Sequence, residues 1–229
     1  MSVSENWSRL RARADAAAQR AGRRPEDVII LAVSKTFSAS VVREAYDDGL
    51  RAFGENYMQE AIAKMDELPA DIEWHMVGHL QTNKARQAAG RFALIHSLDS
   101  VHLAEALDKQ AAKQAVRQKV LLQVNIADED SKFGFEPVQV ADAAGEVAEL
   151  EHLELRGLMT IGPLANDSKD IRWVFRELRG LRDKVQTQFP GLSLAELSMG
   201  MTGDFETAIE EGATLIRVGR AIFGERHTG

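Results

Sequence analysis

Short apolar runs alternate with amphipathic stretches along the whole chain. The sharpest run is Val28-Ile29-Ile30-Leu31-Ala32-Val33, six apolar residues of which four are β-branched. Such a run reads as a strand buried on both faces, as in a parallel sheet. It is followed by Ser34-Lys35-Thr36 and by a helix start at Ser38 to Ser40. Ahead of it, Ser2 to Glu5 has capping-box spacing, and Trp7, Leu10, Ala14, Ala17 and Ala21 recur at helical intervals up to Gly22. This predicts an extra N-terminal helix, expected to cover the amino-terminal end of the sheet.

The alternation then repeats. Further strands are predicted over 51–54, 73–78, 92–96, 119–125, 153–160, 194–197 and 214–218. Helices are predicted near 39–48, 57–67, 82–89, 101–115, 137–149, 168–188 and 204–211, with a short last helix opened by Gly219-Arg220. Eight strand-then-helix units with short connections fit an α/β fold of one kind, a single (β/α)8 TIM-type barrel, better than an open doubly wound sheet. No composition shift or linker divides the chain, so residues 1–229 are expected to form one domain.

Composition narrows the function classes. A net charge of −7 and a pI near 5.5 argue against general affinity for nucleic acid or an anionic membrane. The absence of cysteine removes disulfides, thiolate catalysis and cysteine-ligated metals, and is compatible with the cytoplasm. No stretch approaches the roughly 18 apolar residues of a membrane span, and the polar N-terminus lacks a signal-peptide core.

In a parallel barrel the ligand site lies at the carboxyl ends of the strands. Lys35 falls there. A lysine walled by apolar side chains can lose its proton and act as an amine nucleophile toward a carbonyl, whereas the bland reading is a solvated lysine. The other strand ends carry amides, hydroxyls and small residues but few carboxylates, which disfavours metal-assisted or paired-carboxylate hydrolysis. Ser198-Met199-Gly200-Met201-Thr202-Gly203 and Gly219-Arg220 follow the seventh and eighth strands. Barrels commonly hold a phosphate at these two places, on glycine-rich backbone. Arg217 interrupts the eighth apolar run, and strand alternation places it inside the barrel. It is expected either to make a structural salt bridge there, for instance to a glutamate, or to hydrogen-bond an acceptor on a ligand. An amine, a phosphate cradle and a buried arginine together suggest pyridoxal 5′-phosphate. An arginine at its ring nitrogen would keep that nitrogen unprotonated and weaken the ring as an electron sink.

The motifs Ala32-Val33-Ser34-Lys35-Thr36, Phe53-Gly54-Glu55-Asn56-Tyr57, Trp74 through Lys84, Arg156-Gly157-Leu158-Met159, Leu197-Ser198-Met199-Gly200-Met201 and Ile216-Arg217-Val218-Gly219 closely resemble the pyridoxal phosphate homeostasis protein family. The resemblance implies the barrel of the alanine racemase N-terminal domain and a covalently held cofactor. It implies Lys35 as the Schiff-base lysine, Asn56 beside the cofactor, Ser198, Gly200, Met201, Thr202, Gly219 and Arg220 in the phosphate loops, and Arg217 at the ring nitrogen. His79 lies in the loop after the third strand. Arg220 departs from the threonine common among relatives. It could strengthen phosphate binding or swing out to solvent.

The resemblance implies a non-catalytic protein that holds, buffers and delivers pyridoxal phosphate, with pyridoxal-phosphate-dependent apo-enzymes as recipients. An amino-acid racemase is the alternative. Racemases of this fold take a second base from a C-terminal β-domain, and the chain ending at Gly229 is expected to lack one and to be a monomer. A Schiff-base aldolase on a phosphorylated sugar shares the lysine and the phosphate loops but finds no acid–base carboxylate beside Lys35. His75 and His96 lack ligand-like spacing and are expected as packed strand histidines, with no metal site. Lys132 is read as a solvated loop lysine and Glu210-Glu211 as a solvated helix face.

Overall fold

The computed structural model describes residues 2–127, 133–163 and 171–224. Eight parallel strands close into a barrel in chain order: β1 (Ile29–Val33), β2 (Ala52–Glu55), β3 (Glu73–Met76), β4 (Leu94–Leu98), β5 (Gln118–Gln123), β6 (Leu153–Met159), β7 (Glu196–Ser198) and β8 (Leu215–Val218). The ring shuts where Ile30 of β1 pairs with Ile216 of β8. The helices are α1 (Val3–Arg20), α2 (Ala39–Asp47), α3 (Met58–Glu67), α4 (Ala85–Ala88), α5 (Val101–Lys113), α6 (Val140–Ala148), α7 (Arg172–Gln188), α8 (Phe205–Glu210) and α9 (Arg220–Phe223). This is the expected TIM-type barrel with its additional N-terminal helix.

Strand alternation divides the core into two layers. Phe53, Trp74, Met76, Ile95, Val120, Leu122, Leu158, Leu197 and Ile216 face the helices and join one large cluster. Inside the barrel lie two small clusters, Leu31, Ala52 and Val77 with Val33, and Leu94, Leu121, Met159 and Leu215 with Ile161.

Two expectations about helices are corrected. The N-terminal helix does not cover the amino-terminal end. α1 begins on the capping box, where the Glu5 amide donates to Ser2 Oγ and the Ser2 amide to Glu5 Oε2, and packs against α8, α9 and α2 in the outer layer. Its buried stripe Leu10, Ala14, Ala17 and Ala18 joins the main core cluster. The segment 82–89 is a 3-10 turn (Thr82–Lys84) followed by a single turn of α4, not one continuous helix.

Glu210-Glu211 is not a solvated face. Glu211 is buried and gathers Arg172 at 2.7 Å, with Arg176 and Arg179 each at 3.4 Å. Glu210 pairs with Arg172 and Arg20. The two carboxylates tie α7, α8 and α1 together.

Candidate functional site

The carboxyl ends of the strands form one mouth. On β1, Leu31 and Val33 point into the barrel, so alternation directs Lys35 to the same side and Ser34 to the helix side. Ser34 is fully buried there. Its hydroxyl donates to Glu55 Oε1 at 2.6 Å, and Lys64 Nζ of α3 donates to the same oxygen at 2.6 Å and to the Ser34 carbonyl at 2.8 Å. Glu55 therefore stands behind the lysine strand rather than in the mouth. Burial pushes its carboxyl above the usual range, with the Lys64 and Ser34 bonds opposing. Next to Lys35, Thr36 adopts a left-handed φ of 69°, with its amide donating to Glu60 Oε2 at 2.8 Å.

A column of buried polar side chains crosses the barrel interior. Arg217 donates from Nη1 to Ser198 Oγ and from Nη2 to the Thr160 carbonyl, both at 2.7 Å. Ser198 Oγ lies 2.8 Å from His96 Nδ1, and His96 Nε2 lies 2.9 Å from His75 Nδ1. The chain can run in either tautomeric sense, and in both its far end is His75 Nε2, a buried atom with no partner among the described residues. Burial pushes His75 down to about 4, and pushes His96 well below the usual histidine range with help from His75 and the Arg217 charge. Both imidazoles are neutral at pH 7. Burial lowers the Arg217 guanidinium to about 10, against the pull of the Asp204 carboxylate, so it remains a cation.

Arg217 is thus inside the barrel, as alternation predicts, and of the two roles open to it the structural salt bridge to a glutamate is not seen among the described residues. Two of its five N–H donors are used by a hydroxyl and a carbonyl. His75 and His96 are packed strand histidines as expected, though joined to each other and to Arg217 through Ser198. The Ser198 hydroxyl bonds Arg217 and His96 inside the barrel.

Beyond β7 the chain turns at Gly200, whose φ of 93° and close packing exclude a side chain: a Cβ there would lie 2.5 Å from Ala208 Cβ. The Gly200 carbonyl accepts from the Arg217 amide at 2.9 Å, which locks this loop to β8. The Met201 amide is held by Asp204 Oδ1. Neither the Thr202 nor the Gly203 amide has an acceptor among the described residues. Gly219 runs close to β1, since a Cβ there would meet the Val33 carbonyl oxygen at 3.0 Å. Arg220 opens α9 with an exposed side chain.

The other rim carries Asn56 and His79. Gly78 lies against Asn56 so tightly that a Cβ would fall 2.3 Å from the Asn56 carbonyl oxygen. His79 is exposed, bonds Asp99 through Nδ1 at 2.8 Å and stacks on Phe133 with ring centroids 3.7 Å apart. A cavity of about 370 Å³ lined by Asn56, Tyr57, His79, Gln81 and Lys84 among others lies along the β2 and β3 loops. Lys132 lies outside the described residues.

The family described as alanine racemase, N-terminal domain, matches residues 6–227. The pyridoxal phosphate homeostasis protein of Aquifex aeolicus is 44% identical over 227 residues, spanning 99% of either chain. The protein of the same name from Pseudomonas aeruginosa is 44% identical over 229 residues, 99% of this chain and 97% of that one. The chain belongs to the pyridoxal phosphate homeostasis protein family. PipY of Synechococcus elongatus, solved with pyridoxal phosphate bound, superposes with a TM-score of 0.85 at 40% identity, covering 97% of this chain and all of that one. An alanine racemase of Clostridium difficile shares the fold at a TM-score of 0.72 and 15% identity, this chain matching 54% of its length.

The structure draws attention to residues that the sequence alone did not single out: Asp204, Glu60 and Lys64. A signal existed for one of them. Lys64 falls on the apolar stripe Met58, Ala61 and Lys64 of α3, where a charge is costly without a partner. Asp204 carried no such mark, because its bond to Met201 and its proximity to Arg217 depend on how the loop folds.

Proposed function

We propose that this protein binds pyridoxal 5′-phosphate at the mouth of the barrel, holds it as a Schiff base on Lys35, and buffers or delivers it rather than using it in catalysis. The observation that carries the reading is Arg217. It is a buried cation whose hydrogen bonds among the described residues go to a hydroxyl and a carbonyl, with donors to spare, the Asp204 carboxylate acting on it only through its charge. Such a group suits a neutral acceptor such as an unprotonated pyridine nitrogen. The loop at Gly200 to Gly203 and the turn at Gly219 and Arg220 suit the phosphate, because glycine brings backbone close and the Thr202 and Gly203 amides lack other acceptors. Asn56 and His79 line the opposite rim. The donor set and the two glycine turns therefore fit the cofactor, as does its presence in the PipY structure.

When bound, pyridoxal phosphate supplies an aldehyde for imine formation and a ring that withdraws electrons. Lys35 would hold the cofactor through its amine, the aldehyde oxygen being lost as water. Arg217 keeps its proton, so the ring stays a weak electron sink, which supports storage over amino-acid chemistry. The names of the relatives, homeostasis proteins, agree with that. The proposal extends to a single-domain cytoplasmic monomer that passes cofactor to pyridoxal-phosphate-dependent apo-enzymes. No helix among the described residues is long and apolar enough to cross a membrane.

The test is the visible absorption spectrum after adding pyridoxal phosphate to wild type and to Lys35→Ala. Wild type should develop a band that the variant lacks. A wild type that stays colourless and binds no cofactor would sink the reading.

A further inference from the structure

We infer that Glu60 and Lys64 of α3 are positioning residues for Lys35, holding the residues on either side of it so that its amine is presented to the cofactor aldehyde. The inference rests on the proposed role of Lys35 and adds the device that sets its geometry.

The device is visible from both sides of the lysine. On the N-terminal side, Ser34 is immobilised three times over: its amide donates to the Gly54 carbonyl at 2.9 Å, its hydroxyl to Glu55, and its carbonyl accepts from Lys64 Nζ. On the C-terminal side, Thr36 sits in the left-handed region, and its amide donates to Glu60 Oε2. Glu60 Oε2 lies 3.7 Å from Lys64 Nζ, so one ammonium links both halves. Thr36 is β-branched, and for residues with a Cβ the left-handed well is disfavoured roughly 5- to 30-fold. Backbone in such a state persists only where its surroundings impose it. Here the Phe37 amide closes a turn across Lys35 and Thr36 onto the Ser34 carbonyl at 3.1 Å, and Glu60 and Lys64, one turn apart on α3, hold the two ends of that turn.

The energetics favour a geometric purpose over a stabilising one. The Lys64–Glu55 pair is almost wholly buried, with side-chain exposures of 7% and 0%, and Glu55 Oε2 has no partner among the described residues. A buried ion pair with an unsatisfied oxygen is a poor source of net stability compared with apolar packing. What Lys64 does supply is a fixed direction for the Ser34 carbonyl, as Glu60 does for the Thr36 amide. Lys35 lies between them, inside the turn that the Phe37 amide closes on the Ser34 carbonyl.

The test measures how fast the visible band forms when pyridoxal phosphate is mixed with wild type, Glu60→Ala, Glu60→Gln and Lys64→Met, each with and without Thr36→Gly. In parallel, affinity is measured for 4-deoxypyridoxine 5′-phosphate, which keeps the ring and phosphate but has no aldehyde. Glu60 is about a third exposed, so Glu60→Ala keeps the experiment decisive if Lys64→Met does not fold. Glu60→Ala should slow band formation by roughly 5- to 30-fold, the weight of the left-handed penalty, with analogue affinity unchanged. Glu60→Gln, which retains an acceptor for the Thr36 amide, should recover most of the rate. Thr36→Gly should restore it in the Glu60→Ala background, because glycine adopts positive φ without penalty. Unchanged rates in Glu60→Ala, parallel loss of analogue affinity, or no rescue by Thr36→Gly would each overturn the inference while leaving Lys35 as the attachment site. Absence of any band in wild type would instead overturn the proposed function, and this inference with it.

Discussion

The buried histidine pair makes the fold sensitive to acid in a way that can be worked out from one side chain. His75 titrates near 4 in the folded protein because burial penalises its charged form, whereas in the unfolded chain it titrates near 6.5. The unfolded state therefore takes up the proton first as pH falls. The stability associated with the neutral imidazole is fully present above about 6.5 and is lost progressively down to about 4. Between pH 7 and pH 5 the loss from His75 alone is about 2 kcal/mol. His96 adds loss in the same direction, since it too is held neutral by burial, by His75 and by the Arg217 charge. The assay is urea unfolding at pH 7, 6 and 5 without added cofactor, comparing wild type with His75→Asn. That variant keeps an amide at the Nδ1 position facing His96 but does not titrate. Its stability should fall by about 2 kcal/mol less than wild type over the same two pH units. Carboxylates shared by both proteins cancel in this difference. Parallel pH dependence in the two would refute the claim that His75 is buried neutral in the barrel.

Gly200→Ala would force a Cβ against Ala208 at a residue with φ of 93°. It should cost about 1–3 kcal/mol, and weaken pyridoxal phosphate binding more than loss of stability accounts for, as fluorescence titration of the folded variant can show. Glu211→Gln removes the carboxylate that Arg172, Arg176 and Arg179 share. It should cost about 1–2 kcal/mol, seen as a lower urea midpoint with an unchanged slope, while the cofactor band is retained.

The strand and helix pattern was legible in the sequence because a buried parallel sheet demands near-continuous apolar runs, and each run here ends at a glycine, amide or hydroxyl. The inward direction of Arg217 followed from the two-residue period of a strand and needed no coordinates. Partners were a different matter. Ser198 lies on β7, His96 on β4 and His75 on β3, and only closure of the barrel brings them into one hydrogen-bonded column with Arg217. The same is true of Glu211, which reads as a surface charge until α7 delivers three arginines to it, and of Glu60, whose role depends on a backbone angle at Thr36. The N-terminal helix was readable as a helix, but its place in the outer layer was set by its packing against α8, α9 and α2, which are distant in the chain or placed only by the fold. Local periodicity fixes which way a side chain points because it is a property of a few consecutive residues. What that side chain meets is decided by contacts between residues far apart in the chain, and those exist only in the folded barrel.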